Sequence, residues 1–295
     1  MSQEVEQQAV LEGSSGPQEF FLPGGPSGVL LIHGLTGTPN EMWRVGRDLN
    51  RAGHAVLGVQ LAGHCGTEQD LLQTGWRDWY ASVEKAAERL RGRVDHLFVG
   101  GLSMGSVLAL MYAQEHPDNV AGLTLYGTTF FYDGWSIGPL GRLAFLLPLF
   151  KKLGIGQKRS FMEAYPFGIK NERIRRSITA RMLDGDSAAA GLPGNPWPSI
   201  GEFYLLSRSV RRRLQQVKSP CLVVHAREDD VASLRNAELI EQRVSGPVEM
   251  IVLDESYHMV TVDQQRDVLV ARSLDFIRNV VDGEYVPTVQ GADGA

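Results

Sequence analysis

The sequence lacks the residues that several classes of site require. Its 295 residues contain two cysteines, Cys65 and Cys221, with no CxxC pair and no histidine at metal-ligand spacing. This argues against a disulfide framework and against a zinc site. Neither a GxxxxGK[ST] phosphate loop nor a GxGxxG fingerprint occurs, so no nucleotide is indicated. We therefore expect a protein that works with no cofactor and no metal.

Excess positive charge and long apolar runs are also missing. The net charge of −5 argues against a nucleic-acid partner, because phosphate binding needs a basic surface. The apolar run from Leu143 to Phe150 is too short to span a membrane and contains Pro148. The first residues are polar and acidic, unlike a secretory signal. A cytoplasmic location is therefore expected.

Short apolar runs instead alternate with longer stretches of helical periodicity. This alternation predicts an α/β fold with a mostly parallel sheet and helices on both faces. The predicted helices lie near 40–52, 75–92, 104–116, 234–244 and 262–280. The predicted strands are Gly28–His33, Ala55–Leu61, His96–Gly101, Val120–Tyr126, Pro220–Ala226 and Val248–Leu253.

The alternation stops for roughly ninety residues in the middle of the chain, too many for a structureless loop. We interpret residues 128–218 as an inserted helical cap rich in aromatic and aliphatic side chains. The core is then formed by residues 19–127 and 219–281. The polar segment 1–18 is predicted to be disordered and the tail 282–295 to be flexible.

A serine stands at the turn between a predicted strand and a predicted helix. The sequence Gly101-Leu102-Ser103-Met104-Gly105 matches GxSxG, a turn that presents a nucleophilic serine at a helix N-terminus. Glycines two residues to either side let the strand and the helix approach closely. The motif alone is weak evidence, because a chain rich in glycine and serine contains it by chance about one time in four.

A serine nucleophile needs a base and an acid that orients the base, both at the carboxyl edge of the sheet. Of the seven histidines, His258 follows the last predicted strand and is the expected base. The acid should follow the preceding strand, where Glu228, Asp229 and Asp230 are consecutive. Asp229 is preferred, Asp230 remains an alternative, and Asp254 is a weaker candidate.

The order Ser103, Asp229, His258 is that of the α/β-hydrolase fold. From about residue 19 to residue 280 the chain resembles bacterial carboxylesterases and monoacylglycerol lipases of that superfamily. The resemblance implies an oxyanion hole formed by the backbone N–H groups of Leu35 and Met104. The matching motifs are His33-Gly34-Leu35-Thr36-Gly37, Gly63-His64, the GxSxG turn, Ala226-Arg227-Glu228-Asp229 and Ser256-Tyr257-His258. Cys65 stands where the family usually has glycine.

The apolar cap over such a site favours acyl esters of medium or long chain, with Phe130, Phe131 and Trp135 as candidate substrate contacts. The alternative is that these side chains only pack the cap onto the core. Residues 151–181 contain nine basic and two acidic residues, typical of a solvated helical face or of a surface that meets anionic lipid. The oligomeric state is not predicted.

Two other functions remain open. A serine aminopeptidase of the proline-iminopeptidase type would need an acidic group in the cap to bind a substrate amine, and the basic cap disfavours it. A ligand-binding receptor that keeps the three residues but turns over negligibly belongs to a different functional class. Slow turnover with a persistent acyl adduct would distinguish the receptor from the esterase.

Overall fold

Parallel strands with buried residues on both faces form the centre of the protein. The computed structural model describes residues 18–183 and 191–285. Most of the predicted N-terminal segment and of the predicted tail lies outside the described residues. The main sheet has the strand order β1-β3-β2-β4-β5-β8-β9. Its strands are β1 (Phe20–Leu22), β2 (Ser27–Ile32), β3 (Ala55–Val59), β4 (His96–Leu102), β5 (Gly122–Tyr126), β8 (Cys221–Ala226) and β9 (Val248–Leu253).

Helices cover both faces of this sheet. Within the described residues they are α1 (Asn40–Arg51), α2 (Glu68–Leu72), α3 (Trp76–Arg91), α4 (Met104–Glu115), α5 (Pro139–Arg142), α6 (Leu147–Lys152), α7 (Glu172–Leu183), α8 (Trp197–Arg211), α9 (Arg235–Arg243) and α10 (Arg266–Val281). Helices α1 and α10 pack on one face, and α3, α4 and α9 on the other. Helix α4 is buried along nearly its whole length, because α8 of the cap covers its outer side.

The predicted α/β-hydrolase fold is confirmed. Every predicted strand and helix of the core is present, with ends within four residues of those expected. All strand pairs of the main sheet are parallel except β1 with β3. Strand β1 has three residues and was not predicted, because so short an edge strand carries no resolvable alternation.

The segment between β5 and β8 contains α5 to α8 with short 3₁₀ turns. It also contains a small antiparallel pair, β6 (Ser160–Met162) with β7 (Gly194–Pro196), where the sequence predicts helices alone. Each of these strands has three residues, which is below the length at which a period of two can be recognised. Within the described residues, no helix is both long enough and apolar enough to cross a membrane.

Candidate active site

Ser103 occupies a strained turn between β4 and α4. Its backbone has φ 57° and ψ −116°, a conformation that a residue other than glycine adopts only when its surroundings enforce it. The enforcing contact is tight packing of the turn against β2. A Cβ on Gly101 would lie 2.6 Å from the Ile32 carbonyl oxygen, and Gly105 is equally crowded. The two glycines of the motif are therefore required by close approach of the backbone.

A buried serine next to the turn ties it to β5. Ser106 Oγ donates to the carbonyl oxygen of Gly101 at 2.6 Å and accepts from the backbone N–H of Tyr126 at 3.0 Å. The backbone N–H of Ser103 donates to the Tyr126 carbonyl oxygen at 2.9 Å. These bonds hold the strained turn without involving the hydroxyl of Ser103, which shares a hydrogen bond of 3.1 Å with Thr129 Oγ1.

Asp229 and His258 form a buried hydrogen-bonded pair at the carboxyl edge of the sheet. His258 Nδ1 lies 2.8 Å from Asp229 Oδ2, so the proton sits on Nδ1 and Nε2 is left to accept another. Asp229 Oδ1 accepts from the backbone N–H groups of Val231 and Ala232. Burial raises the pKa of Asp229, but His258 and these hydrogen bonds outweigh it and keep that pKa below its usual value. The carboxylate thus stays ionised beside the imidazole.

The pKa of His258 is also displaced. Burial lowers it, but the charges of Asp229, Asp230 and Glu41 together raise it above the usual value for histidine. His258 becomes a neutral base only as the pH rises through this raised pKa.

Asp230, the alternative acid, has a different set of contacts. Its Oδ1 accepts from the backbone N–H of His258 at 3.2 Å, and its Oδ2 accepts from the backbone N–H of Gly168 in the cap at 3.1 Å. The Asp230 carboxylate therefore binds the main chain of His258, whereas the Asp229 carboxylate binds the imidazole ring. This arrangement favours Asp229 as the orienting acid.

His225, within β8, is a buried neighbour of this pair. Its Nε2 lies 2.8 Å from the Ala232 carbonyl oxygen and 3.5 Å from Asp229 Oδ2. Burial lowers the pKa of His225. A neutral ring that donates from Nε2 adds a polar contact to the carboxylate without adding a full charge.

The loop from Gly34 to Thr38, which we call the oxyanion loop, runs past Ser103. A Cβ on Gly34 would lie 3.6 Å from Ser103 Cβ, and within the described residues Leu35 N–H has no recorded acceptor. Met104 is the first residue of α4, where a backbone N–H has no acceptor inside the helix. Both predicted oxyanion donors are therefore unsatisfied, as such a role requires. Their role remains a prediction.

Two histidines support this loop. His33 Nδ1 lies 2.9 Å from the Gly34 carbonyl oxygen, and His33 Nε2 accepts from the Leu61 backbone N–H at 3.2 Å. The ring of His64 meets that of His33 edge to face, with 5.0 Å between centroids. Burial lowers the pKa of His64 to about 4 and that of His33 well below its usual value. Both rings are uncharged at neutral pH.

Two glutamates lie near the site that the sequence analysis did not predict as site residues. Glu41 lies in the first turn of α1, and Glu163 follows β6 of the cap. Burial within the cleft raises the pKa of each to about 7, and each also feels the charge of His258. They come from a core helix and a cap strand, so only the folded chain shows that they are neighbours of the same histidine.

The cap is bonded directly to the oxyanion loop. Leu192 N–H donates to the Thr36 carbonyl oxygen at 3.0 Å, and Thr36 Oγ1 donates to Asn195 Oδ1 at 3.2 Å. Thr36 itself has a positive φ of 62°. The segment that returns from the cap thus fixes one side of this loop.

The predicted substrate contacts lie in three different environments. Phe130 is fully buried in the main core and has no exposed surface for a ligand. Phe131 is partly buried, with Arg211 stacked over its ring. Trp135 is 54% exposed and donates from Nε1 to the Glu228 carbonyl oxygen at 2.9 Å. Phe131 and Trp135 have exposed surface that a substrate could contact, whereas Phe130 packs in the core beneath the cap.

Cys65 has a positive φ of 67°, which explains why glycine is usual at this position in the family that the sequence resembles. Burial and the charge of Glu41 raise the pKa of its thiol to about 12, so it is not a nucleophile at neutral pH. In the described parts of the chain no three His, Cys, Asp or Glu side chains converge to hold a metal ion.

Comparison with known proteins gives a consistent set of relatives. The family model described as serine aminopeptidase, S33, matches residues 27–265. A thermostable monoacylglycerol lipase of Bacillus sp. (strain H-257) is 30% identical over 89% of this chain and 94% of its own length. A carboxylesterase of Bacillus subtilis (strain 168) is 23% identical over 90% of this chain and 97% of its own.

Solved structures give the same fold. A metagenome-derived lipolytic enzyme superposes with a TM-score of 0.75 at 27% identity, over 90% of this chain and 99% of its own. A monoacylglycerol lipase of Paleococcus ferrophilus superposes with a TM-score of 0.72 at 15% identity, over 89% and 98%. The match to the family model covers most of the chain, so the protein belongs to the serine aminopeptidase S33 family of α/β-hydrolases.

Proposed function

We propose that this protein is a cofactor-independent serine hydrolase that cleaves carboxylic esters, with acyl groups of medium to long chain and monoacylglycerols as its substrates. The observation that carries this proposal is a buried Asp229–His258 pair and a serine held at a strained turn, both at the carboxyl edge of the same sheet. The relatives named monoacylglycerol lipase and carboxylesterase support the choice of an ester.

In the proposed mechanism Ser103 Oγ leaves its hydrogen bond with Thr129 and attacks the ester carbonyl carbon. His258 Nε2 accepts the hydroxyl proton, and Asp229 stabilises the resulting imidazolium. The N–H groups of Leu35 and Met104 stabilise the oxyanion. The tetrahedral intermediate collapses as His258 protonates the departing alcohol, and water, activated by the same histidine, then hydrolyses the acyl-enzyme.

The position of Glu163 favours substrates in which the alcohol part of the ester is a polyol such as glycerol. The Glu163 side chain is reached by solvent although the walls of the cleft surround its carboxyl group, and it feels the charges of His258 and Asp230. A carboxylate at this place accepts hydrogen bonds from the free hydroxyl groups of a glycerol ester.

Glu163 also keeps the aminopeptidase alternative open, because it is an acidic cap residue near the site and such a residue could bind a substrate amine. A relative named "Probable proline iminopeptidase", from Leptolyngbya boryana, matches over only 38% of this chain and 32% of its own length. The ester remains the preferred substrate.

The experiment that tests the proposal compares p-nitrophenyl esters from acetate to palmitate, monoacylglycerols and proline p-nitroanilide. An apolar acyl pocket contributes about 0.8 kcal/mol per methylene, so kcat/KM should rise about fourfold per methylene until the pocket is full. A maximum at medium or long chains is expected. Turnover of the anilide alone would indicate the peptidase, and a persistent acyl adduct with negligible turnover would indicate the receptor.

We also propose that the cap meets lipid surfaces, chiefly through apolar side chains. Leu140, Leu143, Leu149 and Leu153 are 76%, 49%, 53% and 61% exposed, respectively. Part of the basic charge of residues 151–181 is neutralised within the protein. Lys151 pairs with Glu202 at 2.6 Å, and Lys170 pairs with Glu228 and Glu255. Arg181 is not among the side chains that the structure describes.

A double variant of the cap tests this surface. Leu149→Ser with Leu153→Ser should lower partition onto phosphatidylcholine vesicles roughly tenfold, because two leucines no longer insert. Hydrolysis of a soluble acetate ester should not change. Leu205→Ser, on α8 and 38% exposed, is the matched control. Partition is measured by vesicle sedimentation. Equal partition of the double variant and the wild-type protein would show that the cap does not dock on lipid.

A further inference from the structure

Glu41 is a titratable group near the active site to which the proposed mechanism gives no role. Its Oε2 accepts from the backbone N–H of Gly34 at 3.1 Å, and its carboxylate also accepts from the backbone N–H of Thr38. These two residues are the two ends of the oxyanion loop. One carboxylate therefore binds both ends of the loop whose middle carries Leu35.

The carboxyl group lies directly against the loop. A Cβ on Gly37 would lie 2.5 Å from the carboxyl carbon of Glu41, so any larger residue at position 37 would displace the side chain. His33 holds the Gly34 carbonyl oxygen from one side, and Leu192 of the cap holds the Thr36 carbonyl oxygen from another. Glu41 supplies the acceptor for N–H groups that these contacts leave unsatisfied.

We propose that Glu41 is a positioning residue for the oxyanion hole: its ionised carboxylate binds the Gly34 and Thr38 N–H groups and so keeps the Leu35 N–H directed toward the reacting carbonyl oxygen. This inference rests on the proposed ester hydrolysis. Glu41 does not touch the substrate and acts only through the loop.

A carboxylate suits this task because it only accepts hydrogen bonds and has two oxygens for two N–H donors. A glutamine of the same size has one accepting oxygen, and its NH₂ group must then face an N–H group. A protonated carboxyl has the same defect, because its O–H is a donor. The Gly34 and Thr38 N–H groups therefore both have an acceptor only while Glu41 is ionised.

The charge of Glu41 also has an opposing effect, because an anion near the oxyanion hole disfavours the developing oxyanion. Near a protein surface, with an effective dielectric constant of about 20, that repulsion is strongly attenuated. Loss of a correctly placed oxyanion donor, by contrast, lowers kcat roughly 100- to 1000-fold. Positioning should outweigh repulsion, so removal of the charge should slow the enzyme and not accelerate it.

The pH dependence follows from the groups that face Glu41. Burial and the charge of Glu163 raise its pKa, the two loop N–H groups and His258 lower it, and the balance lies at about 7. Cys65 faces it from the loop after β3. Glu41 therefore loses its charge as the pH falls through about 7, and protonation of His258 proceeds in the same direction of pH. Full activity then requires both groups to be deprotonated, and the acid limb of log kcat/KM should begin with a slope steeper than the value of about one that a single base gives.

The test uses a soluble p-nitrophenyl ester and full pH profiles of purified variants. Glu41→Gln should lower kcat about tenfold with little change in KM, because the loop is looser but the Leu35 N–H is retained. Its acid limb should relax to a slope of about one. Glu163→Gln should keep the steep limb, and Glu88→Gln, an exposed change on α3, should behave like the wild-type protein.

A second measurement separates positioning from damage to the fold. A trifluoromethyl ketone that forms a tetrahedral adduct with Ser103 should bind Glu41→Gln weaker by the same factor as the loss in kcat/KM. The unfolding midpoint shows whether the variant is intact. Equal or higher kcat in Glu41→Gln, a slope of one in the wild-type protein, or unchanged adduct affinity would each overturn the proposal. Absence of ester turnover in the wild-type protein would instead refute the proposed function.

Discussion

Ser103→Ala is expected to lower ester hydrolysis by roughly 10⁴- to 10⁶-fold. The substitution removes the only atom that the proposed mechanism uses to attack the ester, while Asp229, His258 and the oxyanion loop remain in place. The strained backbone is held by the Ser103 N–H and by Ser106, so the turn should keep its shape. Active-site labelling with a fluorophosphonate should disappear together with turnover.

Ser106→Ala, in the first turn of α4 and three residues after Ser103, is the matched control. It leaves the Tyr126 N–H without its acceptor in a fully buried position, which should cost about 1–3 kcal/mol of unfolding free energy. The folded fraction should still hydrolyse esters and react with the fluorophosphonate. If Ser103→Ala retained more than a small fraction of wild-type turnover, the nucleophile would have to be sought elsewhere in the chain.

Asp229→Asn and Asp230→Asn should differ sharply in activity. Asparagine at position 229 offers its NH₂ group or its single oxygen to a ring that now lacks an ionised partner, so the imidazole tautomer and orientation are lost. A fall in kcat of roughly 10³- to 10⁴-fold is expected. The effect of Asp230→Asn should be milder, about tenfold, because one of the His258 and Gly168 N–H groups loses its acceptor.

The two aspartate variants are compared by kcat on a soluble ester at a pH on the alkaline plateau of the wild-type profile, where His258 is neutral, together with the unfolding midpoint. The larger loss of activity should belong to position 229. Asp230→Asn should lower the unfolding midpoint more, for a given loss of kcat, than Asp229→Asn does. The reason is that the Asp230 carboxylate connects the cap to the loop that carries His258. The reverse order of activities would make Asp230 the orienting acid.

The sequence predicts the core well because its signals are local. Strands such as β4 and helices such as α3 carry enough residues for their periodicity to be recognised, and the GxSxG turn is defined within five positions. The short strands β1, β6 and β7 carry no such signal. Their positions follow from pairing with distant parts of the chain, which periodicity does not encode.

The candidate site shows the same division. His258 can be placed by its position after the last strand. The choice between Asp229 and Asp230 cannot be made this way, because both residues follow the same strand and differ only in which part of His258 they contact. Glu41 and Glu163 lie outside every motif in the sequence. Their raised pKa values depend on burial within the cleft, which a linear pattern does not reveal.

The hydrogen bonds between the Leu192 segment and Thr36 connect the cap to the oxyanion loop, so the position of the cap affects the catalytic groups as well as the acyl chain. A cap displaced far enough to break them would also release the loop on which Leu35 stands. Admission of a large substrate and assembly of the catalytic groups are then parts of one equilibrium. A molecule that enters but prevents the cap from reseating would be bound without being cleaved, so discrimination among esters would rest on closure as well as on the fit of the acyl chain.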